Sequence, residues 1–168
     1  LKGMPGASVN ALIDGAHALG AVEANEVMIF DKLMGPDSLF LTGNSSTVYA
    51  IPALDLLRDR PTVAEVPDGL LRAANDGCFR FINNLPTAGK YLYLPPGYDG
   101  PIPDGFAVYR PKSYRIWVFL RSSVKNGDVA AAASLVTDNV KVYPLSKFAD
   151  QPKMKWVSAS GKAFNTIH

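Results

Sequence analysis

Gly89-Lys90-Tyr91-Leu92-Tyr93-Leu94-Pro95-Pro96-Gly97-Tyr98-Asp99-Gly100-Pro101-Ile102-Pro103-Asp104-Gly105-Phe106 joins two hydrophobic runs through a long connection dense in proline and glycine. Lys90 to Leu94 reads as a short strand, and Pro95 ends it because proline brings no N–H to a ladder. Gly97, Gly100, Pro101, Pro103 and Gly105 give the connection a defined shape, and Phe106 to Arg110 then resumes the strand signal.

The same punctuation continues outward in both directions. Leu39 to Thr42, Thr47 to Leu54, Thr62 to Val66, Phe79 to Ile82 and Tyr114 to Arg121 are further β-rich runs separated by Gly, Pro, Asn and Asp. Val140 to Leu145 alternates like one more strand and is stopped by Pro144. Short strands at this spacing predict a mainly β fold, an antiparallel β-sandwich over roughly residues 36–146. Two helices accompany it. Residues 7–19 place Val9, Leu12, Ile13, Ala16 and Leu19 at helical spacing, with Ser8 as N-cap and Gly20 as C-cap. The alanine-rich run near 128–138 follows an Asn126-Gly127 turn and is capped by Asp128. Glu23 to Leu33 fits either a buried strand or a further helical turn. No internal repeat interrupts this organisation.

Composition agrees. Twelve Asp against three Glu, with fourteen Gly and thirteen Pro, favour turns over helix interiors. At 168 residues the chain has the size of one domain, and its 48% hydrophobic content excludes general disorder. A net charge of +2, with basic residues gathered only over Lys147 to Lys155, does not imply nucleic acid as a partner. No apolar run reaches the 18 or so residues of a membrane span. The segment 1–35 reads as a helical and extended lead-in, and 147–168 as an extended arm docked on a neighbour or leading to a further domain. The chain begins at Leu1 without an initiator Met and ends without a polar tail, as a partial product would.

The Gly89–Gly105 segment, taken with Glu26 to Met34, Leu39 to Tyr49, Tyr114 to Arg121 and Val140 to Leu145, resembles the bacterial family catalogued as domain of unknown function 1254. The matching phrases run over about residues 23–168. The resemblance implies a β-sandwich that is usually followed, in the same polypeptide, by a second mostly β domain catalogued as unknown function 1214. It also implies export in many bacterial members. Phe164-Asn165-Thr166-Ile167-His168 resembles the start of the connection to that second domain. The family supplies no agreed set of functional residues.

Candidate sites therefore come from the residues themselves. Arg115, Trp117, Phe119 and Arg121 share one strand face, and Tyr114, Ile116, Val118 and Leu120 share the other. A central strand covered on both sides explains this pattern; a surface where Trp117 and Arg121 meet a carboxylate, a sugar or a partner domain is the functional alternative. Asn44, Thr47 and Tyr49 form a polar loop that either satisfies backbone groups or floors a pocket. Asn44-Ser45-Ser46 also fits the glycosylation pattern. Tyr98 and Asp99 occupy the tip of the Pro95–Gly105 connection, as a shaping turn or as a ligand contact.

Catalytic chemistry has little support. Ser122-Ser123-Val124-Lys125 has Ser-x-x-Lys spacing at a strand end, without its companion motifs. Cys78 reads as a small buried hydrophobe. Two separated histidines and one cysteine leave no zinc spacing, and Asp99 with Asp104 falls short of a calcium shell, so neither a metal nor a cofactor is implied. Two functional readings follow. One is a structural, interaction or ligand-binding module that meets a second domain, an oligomer partner or a small-molecule or carbohydrate ligand. The other is half of a hydrolase-like or carbohydrate- or small-acid-processing enzyme, completed by the absent domain.

Overall fold

The computed structural model describes residues 4–35 and 44–162. In chain order the elements are α1 (Met4–Ala18), β1 (Glu26–Phe30), β2 (Thr47–Ile51), β3 (Ala53–Asp55), β4 (Thr62–Val66), β5 (Leu70–Asp76) and β6 (Phe81–Asn83). They continue with β7 (Gly89–Tyr93), β8 (Ala107–Tyr109), β9 (Arg115–Ser123), α2 (Val129–Thr137), β10 (Lys141–Pro144) and β11 (Lys155–Ser158). A seven-stranded sheet has the order β11-β1-β2-β9-β5-β6, with β3 also paired to β9; a four-stranded sheet has the order β10-β4-β7-β8. The two sheets and two helices bear out the expected mainly β sandwich.

The nine-residue β9 is the axis of the larger sheet. On one side Tyr49 of β2 stands opposite Arg121, and Ala53 of β3 opposite Trp117. β2 and β3 are one line broken at Pro52, whose carbonyl still accepts from the N–H of Val118. On the other side Leu71 and Ala73 of β5 oppose Arg121 and Phe119. Period-two alternation then sends Ile116, Val118 and Leu120 inward, where they are fully buried against Ala64, Val66 and Tyr91 of the smaller sheet. Helix α2 adds Ala132 and Val136 to this core, and Asp128 caps it by accepting from the N–H of Ala131 at 2.9 Å.

Among the described residues, two strand pairs are parallel: β1 with β11 and β7 with β8. The second explains the length of the Leu94–Phe106 connection. Parallel neighbours need a crossover of about a dozen residues, because the chain must return to the same end of the sheet. Here the crossover lies over the outer face of the smaller sheet, where Tyr98 and Phe106 cover Val63, Leu92, Leu94 and Tyr143. Gly97 and Gly105 take φ of +76° and +90°, which a side chain would disfavour.

Several local expectations change. Helix α1 begins at Met4, so Ser8 lies inside it rather than at its cap; Gly20 does end it, with φ +97° and with Ala21 N–H reaching back to Ala16 O. Within Glu23 to Leu33, Glu26–Phe30 is a strand, β1, and not a helical turn. The predicted strand at 79–82 starts at Phe81, since the residues before it form a turn in which Phe79 has φ +62°. Leu70–Asp76 is a strand with no expectation behind it. Within the segment expected to be an arm, Lys155–Ser158 forms β11 and pairs with this chain's own β1. Cys78 is exposed, not buried. The expected strand at Leu39 to Thr42 lies outside the described residues. Among the described residues, no helix is long and apolar enough to cross a membrane.

Candidate functional site

The outer face of the seven-stranded sheet carries most of the residues singled out in the sequence. Thr47 and Tyr49 on β2 and Trp117 and Arg121 on β9 all point to this side by register. Helix α1 covers part of it: Val9, Leu12, Ile13 and Ala16 pack on Met28, Phe30, Tyr49, Ile51 and Trp117. Arg115 fastens the helix, donating to Asn10 Oδ1 at 2.8 Å and lying 3.7 Å from Asp14.

Beyond the helix the face opens. An aromatic series runs across it: Phe79 is stacked on Trp117 (5.7 Å between centroids), while Trp117 meets Phe119 and Phe119 meets Tyr49 in tilted contacts, each at 5.2 Å. The guanidinium of Arg121 lies 5.8 Å from the Phe119 ring, within cation–π range. Leu71, Phe79 and Phe81 remain 55, 50 and 63% exposed on the β5–β6 side. A cavity of about 380 Å³ opens there, lined by Leu71, Ala73, Asn84, Pro86, Phe119 and Arg121. On the same sheet face Thr47 Oγ1 and Trp117 Nε1 are buried without a hydrogen-bond partner among the described residues. Such atoms cost about 1–3 kcal/mol each when unsatisfied, so they mark places where a polar group would be welcome.

Asn44 and Tyr98 do not join this group. Asn44 Oδ1 accepts from the N–H and the hydroxyl of Ser46 at 2.7 and 2.6 Å, an Asx turn that shapes the entry to β2. Tyr98 belongs to the opposite side of the molecule. Its hydroxyl donates to Pro101 O at 3.1 Å, and it lines a largely apolar cavity of about 470 Å³ with Pro61, Pro101, Pro103 and Leu145. The Ser-x-x-Lys spacing is not a pair: Ser122 is buried opposite Leu70, and Lys125 is exposed. Leu71, Phe79 and Phe81 escaped the sequence reading; the Phe79-Arg80-Phe81 triplet was the available signal, two aromatics beside a turn. Among the described residues, no cluster of three or more His, Cys, Asp or Glu is placed to hold a metal.

A different network sits on the smaller sheet. The Tyr143 hydroxyl donates to Glu65 Oε1, and Gln151 Nε2 donates to both groups. Burial first, and then the hydrogen bond to Glu65, push the Tyr143 phenol well above its ordinary range. This keeps Tyr143 a neutral donor, which ties β10 and the following arm to β4.

With the architecture in place, residues 24–144 match the family model described as "Protein of unknown function (DUF1254)", well over half of the chain. The chain belongs to the DUF1254 family. A search of the solved structures finds the same fold in the VPA0106 protein from Vibrio parahaemolyticus, with a TM-score of 0.62 at 19% identity. The alignment covers 90% of this DUF1254 chain but only 39% of that protein, so the chain spans well under half of its structural relative. No curated protein matches the chain in sequence.

Proposed function

We propose that this DUF1254 domain is an interaction module whose outer sheet face, at Thr47, Tyr49, Trp117, Phe119 and Arg121, receives another folded unit. The observation behind this reading is the exposed apolar margin Leu71–Phe79–Phe81 running straight into the aromatic series. Exposed aromatic and aliphatic side chains that adjoin an arginine are the composition of binding surfaces, not of an ordinary solvated sheet face. The occupant in this reading is a further domain of the same polypeptide, in keeping with the greater length of the structural relative; a second copy of the chain is the alternative occupant.

A second reading keeps the same face and fills it with a small polar ligand such as a carbohydrate. Its support is the pair of unpartnered buried atoms, Thr47 Oγ1 and Trp117 Nε1. An enzyme half completed by a further domain would use this same face. Substitution of Leu71 and Phe81 by Asp distinguishes the two. Both side chains are exposed, so the fold should survive, while docking of a folded unit should weaken at least tenfold. A small ligand held only at Trp117 and Arg121 would bind the doubly substituted chain unchanged, and that outcome would displace the docking reading.

A further inference from the structure

The geometry points to a binding site for a small organic carboxylate in a cleft between the β5–β6 turn and the β8–β9 connection, which meets the outer sheet face only at Phe81. The cleft measures about 320 Å³, at the small end of the usual range for ligand sites, and Asp76, Arg80, Phe81, Tyr109, Arg110 and Lys112 line it.

Charge selects the ligand. Three cations line the cleft with one carboxylate, and that carboxylate is buried and bonded within its own turn. Asp76 is 2% exposed; its Oδ1 accepts from the N–H of Cys78 at 2.9 Å and of Arg80 at 3.0 Å, and its Oδ2 from Arg80 Nε at 2.7 Å. Asp76 thus positions Arg80, and its 2% exposure keeps its carboxylate from facing a cation in the cleft. Arg80 keeps both terminal nitrogens without an acceptor among the described residues. Arg110 gives one N–H to Tyr98 O at 2.8 Å, which orients its guanidinium and leaves its other N–H groups without an acceptor among the described residues. Neither Arg110 nor Lys112 enters an ion pair among the described residues. Pro111 between them is buried and fixes its own φ, so the two cations extend from an anchored segment.

The walls select the rest of the molecule. Tyr109 is held in place by Tyr91 and Tyr93, with ring centroids 6.2 and 6.0 Å away, and offers a fixed aromatic side. Phe81, 63% exposed, supplies a second apolar surface. Guanidinium groups engage carboxylates through paired N–H donors, and the flanking rings favour an apolar body over a bare inorganic anion.

The test is titration of the 168-residue chain, labelled with nitrogen-15, with benzoate, benzamide and inorganic phosphate in parallel. Benzoate is expected to shift the amides of Ile82, Tyr109 and Lys112 saturably, with benzamide at least about tenfold weaker because it lacks the charge. The exposed pair Arg110→Gln and Lys112→Gln should weaken benzoate at least about tenfold while leaving resonances elsewhere unchanged. Three results would overturn the assignment: no saturable shift well above about 1 mM benzoate, equal binding of benzamide, or an unaffected double variant. Phosphate binding as tightly as benzoate would also overturn it, since the apolar walls would then contribute nothing.

Discussion

Phe79 stacks on Trp117 with ring centroids 5.7 Å apart and planes 25° from parallel, and it does so from a left-handed backbone, φ +62°. A bulky residue in that region carries strain of about 1–3 kcal/mol, and it stays there because the turn after β5 aims the ring at the sheet face. The contact links the β5–β6 turn to the centre of the proposed interaction face.

Replacing Phe79 separates strain from stacking. Phe79→Ala loses the ring contact, about 0.5–1.5 kcal/mol, and retains the strained backbone. Phe79→Gly loses the same contact but adopts φ +62° freely. Chemical denaturation should find the glycine variant more stable than the alanine variant by about 1 kcal/mol. Equal stabilities would mean that the turn relaxes and that the backbone is not held for the stack.

Glu26 and Lys155 pair across the parallel β1–β11 ladder, with Nζ donating to Oε1 at 2.8 Å. That bond, followed by the N–H groups of Val22 and Glu23 on Oε2, lowers the carboxyl from 4.5 to about 2. Because the folded value is depressed, the stabilisation is fully present above about pH 4.5 and is lost as pH falls toward 2. Amide exchange in β11 should therefore accelerate relative to β9 on acidification through this window. Glu26→Gln should remove that pH dependence while leaving the strand pairing in place.

Gly100 lies beneath the ring of Tyr98. A Cβ there would sit 2.5 Å from the Tyr98 hydroxyl oxygen and 2.6 Å from Cζ, and Tyr98 is held by its bond to Pro101 O. Gly100→Ala should cost about 1–3 kcal/mol through this overlap. In a Tyr98→Ala background the same substitution should cost much less, and a double-mutant cycle by thermal or chemical denaturation reads the coupling. Additive effects would place the ring elsewhere.

Two leucines on neighbouring strands report the two faces of the larger sheet. Leu120 is fully buried between the sheets, so Leu120→Ala should cost about 2–5 kcal/mol. Leu71 is 55% exposed on the outer face, and Leu71→Ala should change the stability of the isolated chain by no more than about 0.5 kcal/mol. A large loss at Leu71 would show that this face is already covered within the chain.

The sequence made the strand-rich architecture legible because alternation and turn chemistry are local. Asp128 as a helix cap, Gly20 as a helix stop and the split faces of β9 were all readable in this way. β5 was not: Leu-Leu-Arg-Ala-Ala-Asn-Asp has no β-branched residue, and pairing with β9 overrides its helical propensity. Nor did the Gly89–Phe106 segment reveal that it bridges parallel strands, because pairing partners lie far away in sequence. The site was half legible. Period-two spacing put Trp117 with Arg121 and Thr47 with Tyr49, but only the β2–β9 register brings the pairs together. Asn44 and Tyr98 looked equally suitable as polar loop residues, yet each is engaged locally, Asn44 with Ser46 and Tyr98 with Pro101.

Whether the outer face of the seven-stranded sheet is an interaction surface can be read by hydroxyl-radical footprinting of Leu71, Phe79 and Phe81. Protein isolated from its native source would be compared with the 168-residue chain at high dilution. A covered face would leave these three side chains labelled several-fold less in the native-source protein, while the exposed Phe148 on the opposite side of the sandwich is labelled alike in both. Equal labelling of all three in the two samples would contradict it.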